Sequence, residues 1–202
     1  MTARPKLDFW FDFASSYSYL AAMRVDALAE EAGVEVQWRP FLLGPIFAAQ
    51  GWTTSPFNLY PAKGKNMWRD MERQCAHAKL PLKRPAPFPQ NSLAAARVAV
   101  AGRDAGWIAS FSRALFTAGF GQGLNIADDA VLTNAVRAAG ADPNAAMAAA
   151  RSEEAKGRLR ADVELARSLG IYGAPSFITS DGELFWGNDR LEQALDWARG
   201  ER

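Results

Sequence analysis

Serine hydroxyls at the start of the first predicted helix are the side chains best placed to do chemistry. In the segment FASSYSYLA, Ser15, Ser16 and Ser18 surround Tyr17. A hydroxyl at a helix N-terminus can donate a hydrogen bond to an anion. Without a neighbouring base, its own pKa is far too high for it to act as a nucleophile. The one histidine, His77, lies on a different predicted helix, which argues against a Ser-His triad. Simple helix capping is the alternative explanation of these serines.

Two short segments near the C-terminus offer backbone and carboxylate groups. In YGAPSF, Pro175 directly precedes a predicted strand. A cis bond there would turn the N–H and C=O of Ala174 away from the sheet and towards a site. In WGNDR, Asn188 and Asp189 are placed to cap the last helix. A carboxylate at a helix start can also accept from a ligand ammonium group, and the two roles compete for the same oxygens.

Charged and metal-ligating side chains elsewhere give weaker signals. Lys63, Lys65 and Arg69 in PAKGKNMWRD could meet a carboxylate, although surface charge is the usual role of such residues. Cys75 and His77 are two apart on one helix and point in different directions, so packing or surface positions are expected for both. With one cysteine and one histidine in the chain, we expect no internal disulfide and no metal site.

The elements that must position these groups begin with a strand, a helix and a second strand. LDFWFDF alternates with period two and predicts a strand, with Phe9 and Phe11 on one side and Trp10 on the other. The Ser-capped helix that follows is predicted to end at Gly33, and VEVQWRPF alternates again. Such a unit builds a parallel sheet. The serines then lie at the carboxyl end of the sheet, where ligands usually bind.

The middle of the chain, from 61 to 170, shows helical patterns and no convincing strand. A proline-rich connector, PLKRPAPFPQ, separates the first of these helices from the rest. Serine, asparagine and aspartate before a periodic stretch, and proline just inside it, mark the helix starts. The predicted helices are KGKNMWRDMERQCAHAKL, an alanine-rich helix capped by Asn91 or Ser92 that ends near Ala105, WIASFSRALFTAGF, DDAVLTNAVRAAG, and one long helix from Pro143, capped by Asp142, to Leu169.

The end of the chain returns to strands. SFIT and ELFWG flank an Asp181-Gly182 turn, which is a strong hairpin signal. A last helix, RLEQALDWAR, follows, and Asp189 and Glu192 have the spacing of a capping box. The order β-α-β, helices, β-β-α predicts an α/β fold.

In this fold a thioredoxin-like domain, residues 1–45 and 166–202, is split by a large all-helical insertion, residues 46–165. A chain of 202 residues with seven tryptophans and twelve phenylalanines can fill such a core. A net charge of +1 gives no electrostatic footprint for a nucleic acid or an anionic membrane. The apolar stretch at the N-terminus is too short and too acidic for a signal peptide. No run reaches the ~18–20 apolar residues of a membrane span. We therefore expect a cytoplasmic protein.

Several segments together carry a resemblance that no single one carries alone. FDFASSYSYLA, RPFLLGPIF, PAKGKNMWRDMER, FPQNS, GAPSF and ELFWGNDRLEQAL occur in this order along essentially the whole chain. In that order they resemble the 2-hydroxychromene-2-carboxylate isomerases, which belong with the kappa-class glutathione transferases and the DsbA-like thioredoxin superfamily. The redox members carry Cys-x-x-Cys where this chain has Ser15 and Ser18. Two serines cannot form a disulfide, which argues against thiol–disulfide exchange.

The resemblance implies roles for the serines at this corner. In the isomerase and kappa branch, the serine that matches Ser15 interacts with the thiol of glutathione, so Ser15 is the expected catalytic residue. The family usually has proline where this chain has Ser16. That change keeps the key hydroxyl, removes a rigid φ and adds a second hydroxyl.

Further site residues follow from the same resemblance. Pro175 resembles the family's cis-proline, and the Ala174 backbone would pair with the cysteinyl part of glutathione. Asn188 and Asp189 resemble the residues that hold the γ-glutamyl end, and Lys63 matches a lysine near the site. These five residues are the expected cofactor-binding set.

Asn58 is the candidate for the family asparagine upstream of Lys63, with Thr53 as the competing position. Asn58 and Tyr17 are the expected substrate-binding residues. The resemblance implies a glutathione-dependent cis-trans isomerase that interconverts 2-hydroxychromene-2-carboxylate and trans-o-hydroxybenzylidenepyruvate or a related aromatic 2-oxo acid, with glutathione as cofactor and a homodimer as a possible assembly. A kappa-class-like transferase acting on another electrophile, a glutathione-dependent enzyme on another unsaturated substrate and a non-catalytic thioredoxin-fold binding module are the alternatives.

Overall fold

A computed structural model of the chain describes residues 4–201. Its four-stranded sheet has the order β2-β1-β3-β4, in which β1 and β2 are parallel and the other two pairs are antiparallel. The sheet is therefore mixed, as expected for a thioredoxin-like fold. The strands are β1 (Lys6–Phe11), β2 (Glu35–Pro40), β3 (Ser176–Thr179) and β4 (Leu184–Trp186).

Helices occupy most of the remaining chain, and no strand occurs between β2 and β3 in the described residues. A π-helical turn (Thr117–Gly121) follows the helix that ends at Phe116, and a 3₁₀ turn (Asn188–Arg190) precedes the last helix. The α-helices are α1 (Ser16–Ala22), α2 (Val25–Ala32), α3 (Leu43–Ala49), α4 (Pro56–Leu59), α5 (Pro61–His77), α6 (Leu93–Arg103), α7 (Ile108–Phe116), α8 (Asp129–Ala138), α9 (Pro143–Arg151), α10 (Glu153–Ser168) and α11 (Leu191–Ala198).

The period-two pattern of β1 buries both faces of the sheet. Phe9 and Phe11 pack with aromatic residues of α7 and of the neighbouring strands on one face. Trp10 points to the opposite face, where Val163 and Ala166 of α10 cover it. A strand buried on both sides is the expected position for the centre of a layered α/β sheet. The predicted alternation of β1 is therefore confirmed.

Two predicted helices are each two helices in the structure. The long helix expected from Pro143 to Leu169 breaks at Ser152, which is extended (φ −66°, ψ 156°) and whose hydroxyl accepts from the N–H of Ala155 at 3.1 Å. Ser152 followed by two glutamates is itself a helix start, since a capping oxygen and acidic first-turn residues stabilise the free N–H groups. The first helix also breaks, after Ala22, but at Arg24 without a side-chain cap, and its second half, α2, ends at Gly33 in the left-handed conformation (φ 67°) as predicted.

The last helix starts later than predicted. Asn188 and Asp189 lie in the 3₁₀ turn, and α11 begins at Leu191 without a side-chain cap. Glu192 accepts from Arg24 at 2.5 Å, so the expected capping box with Asp189 is wrong. The carboxylate binds a nearby guanidinium in place of a backbone N–H. The side chains of Asn188 and Asp189 line the cleft described below and do not cap α11.

The hairpin turn and the start of α6 agree with the sequence. Gly182 has a positive φ of 86° between β3 and β4, and Asn91 accepts from the N–H of Leu93 at 3.0 Å. The predicted boundary between residues 165 and 166 lies inside α10, and that between 45 and 46 lies inside α3. The division into two domains stays a prediction. None of the described helices is long and apolar enough to cross a membrane.

Candidate active site

A cleft of about 1340 Å³ opens at the carboxyl ends of β1 and β2. Five parts of the chain line it: the β1–α1 corner, the segment from Leu42 to Phe57, one face of α5, the proline loop 85–92 and the residues around β3 and β4. These parts meet because β1 and β2 are parallel and end at one edge, while antiparallel pairing places the start of β3 beside the end of β1. The cleft is therefore at the expected position for a ligand site in such a sheet.

Ser15 is both the helix cap and a residue of the cleft. Its Oγ accepts from the N–H of Ser18 at 3.2 Å, so the capping explanation is correct for Ser15. The same hydroxyl donates to the carbonyl oxygen of Ala174 at 2.9 Å. Ser15 thus joins the start of α1 to the loop before β3, and its hydrogen is held by a neutral acceptor rather than by a base.

The loop before β3 turns a peptide edge to the cleft. The Ala174–Pro175 bond is cis. The Ala174 carbonyl accepts from Ser15, and within residues 4–201 its N–H has no acceptor. The Trp186 indole covers Gly173 so closely that a Cβ there would lie 2.3 Å from Nε1, which explains the glycine. One free amide donor therefore lies beside the Ser15 hydroxyl.

Ser16 has a role that the sequence left open. Its Oγ donates to the sulfur of Met67 at 3.3 Å, and both residues are buried. The hydroxyl therefore contacts α5. Ser18, at the position of the second family cysteine, is also buried, and its Oγ is without a hydrogen-bond partner in the described structure.

A chain of hydrogen bonds links α1, α5 and the 3₁₀ turn at the polar end of the cleft. Tyr17 donates to Asp70 at 2.9 Å, Gln74 donates to the same carboxylate oxygen at 2.6 Å, and Asn188 donates to Gln74 at 3.1 Å. Burial, and then the bond to Asp70, raise the pKa of Tyr17, so its phenol stays a donor. Asp70 and Gln74 were not found from the sequence, because a helix-surface acid and amide carry no distinguishing pattern.

Asp189 presents an exposed carboxylate at the same end. Its Oδ2 lies 3.1 Å from Arg190. Gly187 has φ 114°, and a Cβ at this position would lie 2.5 Å from Oδ1 of Asp189. The absence of a side chain at Gly187 therefore lets the carboxylate fold back over the backbone.

Lys63 and the two candidates upstream of it lie near the opening. The Lys63 ammonium lies 5.0 Å from the centre of the Tyr60 ring and lines the cleft. Asn58 donates to the carbonyl of Phe88 at 2.9 Å and is outside the cleft lining, whereas Thr53, the competing position, lies within it. The amide of Asn58 thus ties α4 to the proline loop.

Aromatic side chains form the other end of the cleft. We define the apolar wall as Phe47, Trp52 and Phe57, which line the cleft on the segment after β2. Phe47 and Trp52 pack against each other at 5.6 Å between ring centres. Phe88 of the proline loop faces the same space and is held by Trp68 in an edge-to-face contact at 4.8 Å. An aromatic ring of a substrate fits such surroundings.

Asp12 lies on the floor of the cleft, one residue after β1. Its carboxylate is 3% exposed and accepts from the N–H of Ala14 at 2.9 Å and of Leu43 at 2.7 Å. Burial raises the pKa of Asp12, while hydrogen bonds from Leu43, Ser92 and Ala14 oppose that shift. The sequence pattern placed this residue on the same side of the strand as Trp10 and gave it no role in the site. Its signal was an acidic residue directly at the carboxyl end of a buried strand.

The described residues offer a hydroxyl, a free amide, carboxylates and one lysine around a cleft with an aromatic end. No group of three or more His, Cys, Asp or Glu side chains in residues 4–201 is arranged to hold a metal ion. The arrangement suits binding of a zwitterionic, peptide-like molecule beside an aromatic one. A donor hydroxyl lies between the two ends.

The chain matches a protein-family model over almost all of its length. Residues 6–197 match the DsbA-like thioredoxin domain. The chain is 32% identical over 187 residues to a 2-hydroxychromene-2-carboxylate isomerase of Sphingobium xenophagum, and the match covers 92% of this chain and 94% of that protein.

Two further comparisons agree in fold and sequence. A solved structure of a 2-hydroxychromene-2-carboxylate isomerase has a TM-score of 0.85 and 26% identity, and the superposition covers 96% of this chain and 94% of the other. The chain is also 33% identical over 89 residues to glutathione S-transferase kappa 1 of Caenorhabditis elegans. This match covers 44% of this chain and 38% of that protein.

Proposed function

Because the chain belongs to the DsbA-like thioredoxin family and, within it, to the 2-hydroxychromene-2-carboxylate isomerases, we propose that this isomerase uses glutathione as its cofactor. The proposed reaction interconverts 2-hydroxychromene-2-carboxylate and trans-o-hydroxybenzylidenepyruvate, or a related aromatic 2-oxo acid. Bound glutathione supplies a thiol that adds reversibly to an unsaturated carbon, which allows a former double bond to rotate before the thiol is released. The thiol is returned and not consumed.

The groups around the cleft fit glutathione. The free N–H of Ala174, next to the cis Pro175, suits the cysteinyl amide, for which a neighbouring peptide edge is the natural partner. Asn188 and the exposed carboxylate of Asp189 suit the γ-glutamyl end, which carries an ammonium group. Lys63 supplies a cation at the opening for a carboxylate of the cofactor, and the substrate carboxylate is a second group with which it can pair.

The position of the Ser15 hydroxyl carries the proposal. A free thiol has a pKa of ~8.5 and is mostly protonated at pH 7, so a donor is needed to favour the thiolate. Ser15 lines the cleft, and its Oγ–H donates to a carbonyl, not to a base. Rotation of that O–H from Ala174 to a bound sulfur exchanges a neutral acceptor for an anionic one. The hydroxyl then stabilises negative charge without being deprotonated itself.

The size and lining of the cleft support two ligands. A pocket for a single small molecule measures ~300–1,000 Å³, and this cleft is larger, at about 1340 Å³. The apolar wall and Phe88 line the cleft on other segments than Asp189 and suit the aromatic ring of the substrate. Tyr17 lies between the two ends and keeps its proton, so it is a donor for a substrate oxygen.

The test is turnover of 2-hydroxychromene-2-carboxylate with and without glutathione. We expect activity only with glutathione, and a fall in kcat/KM of ~10²-fold in Ser15→Ala, as is usual for loss of one donor to a developing anion. Ser18→Ala is the matched control, because Ser18 is a buried serine of the same helix with no hydrogen-bond partner. Activity that is unaffected by removal of glutathione, or by Ser15→Ala, contradicts the proposal.

The similarity to a kappa-class glutathione transferase supports one alternative function. A transferase would release a glutathione conjugate, whereas an isomerase returns free glutathione. Quantifying free glutathione by mass spectrometry after many turnovers separates the two, since its concentration stays constant only in the isomerase reaction.

A further inference from the structure

We propose that Asp12 is a positioning residue that holds Ser15 at a fixed place relative to the apolar wall. The proposal rests on the proposed function, since it concerns the spacing between the hydroxyl that meets the cofactor and the surface that meets the substrate. Asp12 lies between these two features on the cleft floor. It acts through its hydrogen bonds, and no contact of its own with substrate or cofactor is assigned to it.

The polar contacts of Asp12 join three separate parts of the cleft, two of them through backbone hydrogen bonds. Its Oδ1 accepts from the N–H of Ala14, the residue before Ser15, at 2.9 Å. Its Oδ2 accepts from the N–H of Leu43, the first residue of α3, at 2.7 Å. The Ser92 hydroxyl, at the end of the proline loop, is close enough to the same carboxylate to lower its pKa. One side chain thus connects the reactive corner, the apolar wall and the proline loop.

The connection to the apolar wall is short. Leu43 begins α3, which carries Phe47 one turn later. Trp52 donates its N–H to the carbonyl of Phe47 at 3.0 Å and packs on the Phe47 ring. A shift of Leu43 away from Asp12 therefore carries Phe47 and Trp52 with it.

A carboxylate in this setting needs an explanation other than packing. Buried carboxylates are usually paired with a cation, because removing the charge from water is costly. Asp162, the other buried aspartate, follows this rule and accepts from Arg103 at 2.6 Å. Within the residues that the structure describes, Asp12 has no ion-pair partner and is held by backbone N–H groups and a hydroxyl. Such neutral donors come from the three segments whose spacing matters for the reaction.

The same geometry predicts which kinetic quantity depends on Asp12. Of the proposed cofactor contacts, Ala174, Asn188 and Asp189 lie around β3 and β4 and Lys63 lies on α5, and none of them bonds to Asp12. Loss of its bonds therefore leaves these contacts in place and changes the spacing between Ser15 and the wall that orients the substrate. A misplacement of ~1 Å between reacting groups can cost ~10²-fold in rate.

The test compares Asp12→Asn with Asp162→Asn, a matched buried carboxylate that lies outside the cleft lining. For both variants we would measure the thermal midpoint, the glutathione Kd by calorimetry, and kcat and KM for the aromatic acid. Tryptophan fluorescence of the glutathione-free protein reports binding of the aromatic acid separately. Asn cannot accept at both oxygens, so at least one of the two segments loses its bond in Asp12→Asn.

In Asp12→Asn we expect a fall in kcat of ~10–100-fold with a glutathione Kd within ~2-fold of wild type. Binding of the aromatic acid to the glutathione-free variant weakens as well. Asp162→Asn loses thermal stability at unchanged kcat. An Asp12→Asn protein with wild-type kcat and KM overturns the proposal, as does one whose glutathione affinity falls as much as its kcat.

Ser92→Ala keeps the proposal testable where Asp12→Asn fails to fold. It removes one donor to Asp12 and leaves the carboxylate in place, so we expect a smaller fall in kcat, of ~3–10-fold, with glutathione binding retained. Unchanged kcat in this variant counts against the proposal. A wild-type protein without glutathione-dependent turnover overturns the proposed function instead. In that case binding of the aromatic acid tests the role of Asp12 separately. If wild type and either variant bind the aromatic acid with equal affinity, that role is wrong.

Discussion

The hydroxyl of Ser15 donates to the carbonyl of Ala174 at 2.9 Å, although the two residues are 159 positions apart in the chain. The bond closes the contact between the start of α1 and the loop before β3. It also keeps the hydroxyl hydrogen at the point where the cleft is expected to receive a sulfur. The same side chain therefore contributes to stability and to the proposed chemistry.

The first prediction concerns the stability contribution of this hydroxyl. Ser15→Ala removes a helix cap and the bond to Ala174, so we expect the free energy of unfolding to fall by about 1–2 kcal/mol. Ser18→Ala removes a buried hydroxyl without a hydrogen-bond partner in the described structure, and we expect no loss. Urea unfolding followed by circular dichroism measures both. Equal losses in the two variants contradict the assignment of the cap to Ser15.

A second prediction concerns Ser16, where the family usually has proline. Ser16 is the first residue of α1, a position that favours proline, and the preceding Ser15 has the extended backbone (φ −88°, ψ 119°) that a following proline requires. Ser16→Pro is therefore expected to fold and to exceed Ser16→Ala in free energy of unfolding by ~0.4–1 kcal/mol. Both variants lose the contact with the Met67 sulfur, so their difference isolates the backbone effect. A lower free energy of unfolding for Ser16→Pro than for Ser16→Ala contradicts this prediction.

The location of the site could be predicted from sequence because its residues follow or precede neighbouring strands. Ser15 comes soon after β1 and Pro175 comes directly before β3. Pairing of Trp10 with Ser176 brings these two ends together. The turn signals that bound each strand are local, so the sequence contains what is needed to place this corner of the cleft.

Contacts between distant helices could not be predicted in the same way. Asn188 donates to Gln74, 114 residues away in the chain, and Asp12 accepts from Leu43, 31 residues away. These bonds depend on how the helices and loops pack, which no periodicity encodes. The break at Ser152 is different, because Ser-Glu-Glu is a typical helix start and the sequence therefore contains its signal. The continuous alanine-rich helical pattern around it led to the prediction of one helix.

A third prediction concerns the single cysteine. Burial raises the pKa of the Cys75 thiol to about 11, so at pH 8 only about one thousandth of it is thiolate. The fraction rises tenfold for each pH unit until the pKa is reached. We expect native protein to react with a disulfide reagent such as DTNB far more slowly at pH 8 than protein unfolded in urea. Equal rates in the two states would show that Cys75 is accessible and ionised.

The last prediction concerns Asp189 and the ammonium group of glutathione. Asp189→Asn removes an exposed carboxylate at the polar end of the cleft, and we expect the glutathione Kd to rise by ~5–10-fold, a modest effect because water screens the pair. Glu192→Gln is the control, since Glu192 is a nearby acid that is also paired with an arginine but lies outside the cleft lining.

An analogue of glutathione without the α-ammonium group tests the partner directly. Calorimetry with both ligands and both proteins gives a double-mutant cycle. If Asp189 pairs with the ammonium, Asp189→Asn weakens glutathione but not the analogue, because the analogue has already lost that contact. Equal weakening of both ligands by Asp189→Asn shows that the carboxylate acts on another part of the molecule, and the assignment of the γ-glutamyl end to Asp189 is then wrong.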